Sequence, residues 1–560
     1  MGKGTWQLTL FQGGIFLFLL IGFYLPLIRF FFGENPFEPG ETLLDGAYLL
    51  EFLSDSWNLQ VIWFSFYQAF WSAIFAVLVG LPGAWILSRY DFPGKRLFRI
   101  LSYLPFILPS ILVVLGMVLF FGNNGFVNRT LQWIFGLQEP PFQFLYSLQG
   151  IFIAHAFYNF PIAMKTIGDH WERLSPQYSL VAQSLGVNPL KILFKIHLPL
   201  MLPSLISAFV LIFLLCLNSF AIILVLGGGV HYTNMEVLIY QLARMHLDIN
   251  GAASLAFLQL LMSLFLLFSL FKKVEHPVGQ GMVSKKDLWR ECRGGAQAAI
   301  LSGIWLILII TFAFGPLLSI IWDSLREFEN NQWRFTIRWY QQLFALNREN
   351  TFLPALWNSL KIGLGSACLS SLLGLGMASL IHQKKRWSRK LWEVVVLFPV
   401  GVSTVIFGFM WFVFFQDTLI DYIPLTMILV LIHAILTFPY WIRVVLPALD
   451  SIPPRWLMVS QSLGKTPVHY YRKILIPWLK RVLVISFFFS FSLSLGEFNS
   501  TLMVADESLQ TLPLEIYRAM ASYRFSFASA IGVVLLLLTV IVFFFIEEWF
   551  YKESPIVEGQ

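Results

Sequence analysis

Charge is scarce in this sequence. Of 560 residues only 12% are Asp, Glu, Lys or Arg, against about 25% in soluble globular domains, which excludes an ordinary soluble chain. Cysteine is nearly absent. Cys216, Cys292 and Cys368 are widely spaced and two of them fall in apolar runs, so they form neither a disulfide framework nor a metal-ligand cluster. A phosphate-binding loop is missing as well. Gly464-Lys465-Thr466 has the ending of one, but its required first glycine would stand at Val459, and the stretch precedes an amphipathic helix instead of following a strand. No nucleophile constellation replaces it, so neither catalytic residues nor a resident metal or cofactor is expected. A small-residue cleavage pattern does not follow Met1-Gly2-Lys3-Gly4, which reads as the approach to a retained first span.

What the sequence has is apolar length: 57% of its residues are hydrophobic and 17% aromatic. Runs long enough to cross a bilayer, about 20 residues each, fall near 10–32, 60–88, 98–122, 148–168, 201–228 and 251–271. Six more fall near 297–323, 357–381, 391–415, 424–446, 480–503 and 525–549. The fold expected is an all-α, multi-pass membrane protein of about 12 transmembrane helices.

Charge sorts the loops into two sides. Residues 33–59 carry six acids and neither Lys nor Arg, whereas 382–390 carry Lys384, Lys385, Arg386, Arg389 and Lys390 and no acid. Residues 89–99 and 272–296 are basic too. By the positive-inside rule these basic loops and both termini are cytoplasmic. The net charge of +7 is then an orientation signal, and no nucleic-acid partner is implied.

The chain also carries one stretch twice. Gln183-Ser184-Leu185-Gly186 recurs as Gln461-Ser462-Leu463-Gly464, and Asn188-Pro189, Lys195 and Pro199 as Thr466-Pro467, Lys473 and Pro477, all 278 positions apart. His155-Ala156 and Phe160-Pro161 recur at His433-Ala434 and Phe438-Pro439 with the same offset. Upstream the offset is 294, as in Ser65/Ser359, Ser72/Ser366 and Gly80/Gly374; the outer loop 123–149, longer than its counterpart 416–423, absorbs the difference. Two halves of like orientation follow, 1–271 and 297–560, each with six spans, joined by a cytoplasmic linker at 272–296. They are parallel repeats about an axis along the membrane normal.

Each repeated loop, about 170–199 and 448–477, reads as two short helices around a glycine turn. Gly186 and Gly464 supply positive φ. Asn188-Pro189 and Thr466-Pro467 supply an N-cap and a first-turn proline, and Pro199 and Pro477 are expected to stop the second helix before the next span. Lys195 and Lys473 lie on its basic side. Such a wedge suits a groove on a partner protein or an anionic lipid surface; two copies at matching places favour a partner that is itself paired.

A glycine followed thirteen residues later by a proline, in the cytoplasmic loop before the penultimate span, resembles the signature loop of ABC importer permeases. The family's Glu-Ala-Ala is Leu180-Val181-Ala182 here and Met458-Val459-Ser460 in the second copy, so both acids are missing. Leu148-Gln149-Gly150, Asn159-Phe160-Pro161, Ser219-Phe220-Ala221 and Thr511-Leu512-Pro513-Leu514 are similar to the fused permeases for ferric iron and thiamine. The resemblance implies a type I importer permease of a bacterial inner membrane. It also implies coupling through the two loops to a cytoplasmic ABC ATPase dimer that uses ATP and Mg, and an extracytoplasmic binding protein that delivers the solute. Polar residues in or near the spans mark a candidate translocation path: His155, Asn159, Asn218, His433 and Glu497. The alternative is a secondary transporter of six plus six spans driven by an ion gradient.

Overall fold

A computed structural model describes residues 13–38, 40–89, 95–102, 104–174, 177–229, 231–274, 296–329, 332–345, 350–382, 386–416, 423–453 and 455–551. Most of the 272–296 linker, Lys384, Lys385, Cys292 and both termini lie outside them. The architecture is all-α. Among the described residues the only strands are a short antiparallel hairpin, Arg326–Glu329 with Gln332–Phe335.

Ten helices among the described residues are long and apolar enough to cross a bilayer, and a bent pair, Ser388–Gly401 with Thr404–Phe414, makes an eleventh. The twelfth expected place, 148–168, is a continuous helix, Leu148–Trp171; Lys165 and Asp169 dilute its apolar character.

Two expected spans of each half are broken. In the third, helices Leu104–Ile107 and Ser110–Phe121 flank Pro109, whose ring disfavours helical geometry at the residue before it. Its counterpart turns by 91° beyond Pro399. The runs expected as single fifth spans, 201–228 and 480–503, divide into Leu198–Leu217 plus Ala221–Leu226 and into Ile476–Leu495 plus Asn499–Val504. No proline causes these breaks. They fall at Asn218-Ser219 and Gly496-Glu497, where polar side chains offer the backbone other hydrogen bonds. Apolarity alone does not register them.

The second and fourth spans pack through small residues in both halves. Ala69, Ala73, Ala76 and Ala84 are fully buried with Ala163. A Cβ on Gly80 would stand 2.8 Å from that of Ala163, and the equivalent Gly374 presses on Trp441 in the same way. Close backbone approach of this kind supplies dispersion contacts where lipid removes the hydrophobic drive.

Compactness cuts the chain differently from the repeat. One unit comprises Met1–Phe52, Ile239–Leu260 and Thr336–Gln560; the other comprises Leu53–Leu238 and Leu261–Phe335. In the former, Phe23 of the first span lies 5.8 Å from Phe398 and 5.7 Å from Phe407, and the Tyr24 hydroxyl donates to the Val395 carbonyl at 2.7 Å. In the latter, Phe312 of helix Ala296–Ser324 lies 5.5 Å from Phe157 and 6.1 Å from Phe160 of the fourth span. The first span of each sequence half thus packs among helices of the other half.

Candidate functional site

The repeated loops have the local geometry their residues dictate. Helix Gln177–Ser184 ends at Gly186 with φ +74°, and helix Arg455–Ser462 ends at Gly464 with φ +67°. In both copies the chain closes on itself: the Val187 N–H donates to the Ala182 carbonyl at 3.0 Å, and the Lys465 N–H to that of Ser460 at 3.1 Å. These six-to-one bonds are those of a left-handed helix ending. Nothing stands within 4 Å of a Cβ built on either glycine, so backbone conformation, not space, demands glycine. Helices Pro189–Ile192 and Pro467–Tyr470 follow, each headed by its proline. Thr466 caps the second, its Oγ1 accepting from the His469 N–H at 3.3 Å. In the first, the Asn188 carbonyl accepts from the Ile192 N–H at 3.1 Å.

The expected stop at Pro199 and Pro477 does not occur. Each short helix widens into a π-helical turn, Leu193–His197 or Tyr471–Leu475, and continues directly into the fifth-span helix. Proline lacks the N–H that a regular helix would present four residues upstream. Widening by one residue lets Leu198 N–H reach the Leu193 carbonyl instead. The prolines therefore set a helix defect, not a terminus, and the loop is continuous with the span it precedes. Lys195 and Lys473 are exposed at the surface of these turns. His197 is buried; its Nε2 lies 2.9 Å from the Ser179 hydroxyl and its ring 5.8 Å from Trp171.

At the far end of each fifth-span helix a buried histidine holds the break. His155 Nδ1 lies 2.8 Å from Ser72 Oγ of the second span, and its Nε2 lies 2.8 Å from Ser219 Oγ at the break itself. His433 Nδ1 lies 2.8 Å from Ser494 Oγ, and its Nε2 3.1 Å from Thr501 Oγ1 of the short helix beyond the break. Hydroxyls donate or accept, so either tautomer is satisfied.

Asn159 joins this group, its amide donating to the His155 carbonyl at 3.0 Å and approaching Cys216 Sγ at 3.5 Å. Asn218 instead accepts from the Ser263 hydroxyl at 3.1 Å. Glu497 Oε1 accepts from the Ser500 N–H at 3.0 Å and the Ser500 hydroxyl at 3.1 Å, capping helix Asn499–Val504. Glu497 and His433 border a shared cavity of about 130 Å³, with Thr404, Thr437 and Tyr440. Apart from Asn218, the path candidates thus form one cluster around His155 and another around His433.

Sequence reasoning missed two features. Ser72, Ser219, Ser494 and Thr501 complete the histidine clamps, and of these Ser72 carried a signal through its repeat at Ser366 and Ser219 through the Ser219-Phe220-Ala221 stretch, whereas Ser494 and Thr501 carried none. On the loops, Val181 and Leu185 are exposed, Leu185 by 76%, as are Val459 and Leu463, the latter by 68%. Leu185 and Leu463 belong to the unchanged Gln-Ser-Leu-Gly stretch, which was signal enough to single them out.

Comparison with known proteins converges on the same architecture. The family described as "Binding-protein-dependent transport system inner membrane component" matches residues 76–277 and again 370–553. The two matches start 294 positions apart (370 − 76), the offset of the upstream repeat. The chain is 27% identical to the thiamine transport system permease protein of Escherichia coli over 86% of its length and 87% of that protein. It is 28% identical to the Haemophilus influenzae thiamine transport system permease protein over 86% and 87% of the two chains. With the ferric transport system permease protein of Actinobacillus pleuropneumoniae the identity is 23%, over 93% of this chain and 74% of that one.

Proposed function

The chain belongs to the binding-protein-dependent transport system inner membrane component family, and on that premise we propose that it is the two-half permease of an ATP-driven importer whose cargo is thiamine. Thiamine is favoured over ferric iron by the relatives of higher identity, all thiamine permeases by name. A lone carboxylate beside a hydroxyl-lined cavity, Glu497, also suits an organic cation better than a bare trivalent ion. ATP would be hydrolysed by a separate cytoplasmic ATPase dimer seated on the repeated loops, and an extracytoplasmic binding protein would deliver the cargo. Both termini would face the cytoplasm.

The observation that carries the mechanism is the unbroken helical path from loop to break. Closure of the ATPase dimer would push on the exposed Val181/Leu185 and Val459/Leu463 knobs, with Lys195 and Lys473 at the same surface. The short helix beyond each glycine turn cannot fold away independently, because it runs through the π turn into a span of 20 residues, about 30 Å long. A displacement at the loop therefore arrives at the break, where His155 or His433 holds the far end. Moving that break past its clamp changes which side of the membrane the polar cluster faces, the requirement of alternating access.

The test is reconstitution in lipid with the candidate ATPase and binding protein. ATP hydrolysis should rise with thiamine-loaded binding protein, and uptake should require ATP. Uptake that ignores the ATPase and follows a proton or sodium gradient would overturn this reading in favour of a secondary transporter.

A further inference from the structure

An ion pair stands at the root of each repeated loop. In the first half Arg99 Nη2 donates to Glu172 Oε1 at 2.7 Å. In the second, Arg389 grips Asp450 with both ends of its guanidinium, Nη2 to Oδ2 at 2.7 Å and Nη1 to Oδ1 at 3.2 Å. The two acids are equivalent (278 apart), and each stands at the end of a fourth-span helix, where the loop begins. The two arginines are not. At the place of Arg99 the second half carries Glu393 (294 apart), and its arginine comes one turn earlier, at the place of Lys95. Arg389 also donates through Nε to Glu393 at 2.8 Å, so the reversed charge steadies the arginine. One joint is thus made twice from different residues.

Each joint holds a short helix that leads into a broken third span. Helix Lys95–Ser102 seats Phe98 in the same buried cluster as Trp171, so packing and ion pair grip the loop root side by side. Helix Arg386–Leu397 runs into the turn Phe398–Gly401, beyond which the span bends by 91°. His382, the last residue of the second-span helix, brings Nδ1 to 2.8 Å from Asp450 Oδ1. Three helices therefore meet at the Asp450 carboxylate. Pro399, Val402 and Thr404 of the bend line the cavity that Glu497 and His433 border. A connected course leads from the loop root through Asp450 and Arg389 to that cavity.

Stability does not account for the joint. The Arg389 and Asp450 side chains are 31% and 35% exposed, and ion pairs so exposed add little to folding. A bidentate pair does fix geometry. We propose that Arg389 and Asp450 are positioning residues for transport, which carry movement of the second repeated loop to the third-span bend and so set the cavity beside Glu497. Arg99 and Glu172 link the first loop to the break at Pro109 in the same way. The inference rests on the importer reading above, and adds to it a second route, since the fifth span leaves the other end of the loop.

The test uses the full chain in lipid, alone for hydrogen exchange and with the ATPase and binding protein for transport. In Arg389→Gln and in Asp450→Asn, backbone amides between 398 and 407 should exchange about fivefold faster. Thiamine taken up per ATP hydrolysed should fall by about the same factor, while the thermal midpoint hardly moves. Adding Glu393→Arg to Arg389→Gln rebuilds the layout of the first half and should restore both exchange and uptake. Unchanged exchange and uptake in both single variants would overturn the positioning role. So would losses that follow a lowered thermal midpoint and ignore Glu393→Arg, which would make the joint merely structural. A wild-type chain whose uptake needs no ATP would instead overturn the importer reading, and the exchange data would still decide whether the joint sets the bend.

Discussion

The two histidine clamps are built on equivalent residues and finish differently. Below each histidine the same contact repeats, Asn159 donating to the His155 carbonyl and Thr437 Oγ1 donating to that of His433 at 2.8 Å. At the break itself the halves part company. The residue 278 positions beyond Ser219 is Glu497 (497 − 219). In the first half that position supplies the hydroxyl His155 uses. In the second it supplies a carboxylate that caps the next helix and borders a cavity, while His433 turns to Ser494 and Thr501. The broken backbone is common to both halves, and the charge belongs to one. A duplicated chain can keep a broken helix in both halves while confining a charge at the break to a single half.

The largest effect should come from the feature the halves share most closely. Replacing Gly186 and Gly464 together by Val forces a β-branched residue into left-handed geometry, at roughly 1–2 kcal/mol per site. Cargo-stimulated ATP hydrolysis should fall by at least about tenfold, while the protein still inserts and melts only slightly lower. Each single variant should show part of the loss. If one glycine alone accounts for all of it, the loops are not equivalent levers.

Next come the clamps. His155→Ala leaves the buried Ser72 hydroxyl and the half-buried Ser219 hydroxyl without their ring partner, and His433→Ala the buried hydroxyls of Ser494 and Thr501; each should destabilise its unit by about 2 kcal/mol, read as a lowered thermal midpoint in detergent. Equal losses are expected. A loss at His155 only would mean that the cavity beside His433 lets water replace the ring.

Glu497→Gln separates charge from capping. The amide oxygen still accepts from Ser500, so stability should hardly change, whereas thiamine uptake should drop several-fold. Ser219→Ala, at the equivalent place, should leave uptake nearly intact. Unchanged uptake in Glu497→Gln would make the carboxylate a cap and nothing more.

Much of this fold was legible because membrane insertion writes itself into composition: long apolar runs and a repeat visible at fixed offsets. The glycine turns and the helix starts of the loops were legible as well, since Gly186, Gly464, Pro189 and Pro467 constrain the backbone within a few residues; the expected stop at Pro199 and Pro477 was wrong, because the helix widens there and runs on. The fifth-span breaks were not legible, because no proline marks Asn218-Ser219 or Gly496-Glu497; what distinguishes them is polar contact, the Ser219 hydroxyl meeting the His155 ring and the Glu497 carboxylate accepting from the Ser500 N–H of the helix that follows. The exchange of first spans was invisible for a similar reason. Phe23 and Phe312 are apolar whichever half they pack in, and only side-chain shape chooses.

The smallest expected effect tests that symmetry at its most detailed. Ser65 Oγ accepts from the Met235 N–H at 2.9 Å, and Ser359 Oγ accepts from the Leu512 N–H at 2.9 Å. Both are second-span serines holding the start of a helix near the membrane boundary, Met235–Gln241 in one half and Leu512–Ala521 in the other. Leu512 N–H has no earlier helical turn to bond with, so removing its acceptor orphans a buried donor. Ser65→Ala and Ser359→Ala should therefore each cost about 1 kcal/mol and add in the double variant, since the two sites share no partner. Non-additivity in thermal unfolding would show that the repeated bonds are coupled through the fold, and the halves would then be one cooperative structure, not two copies of a device.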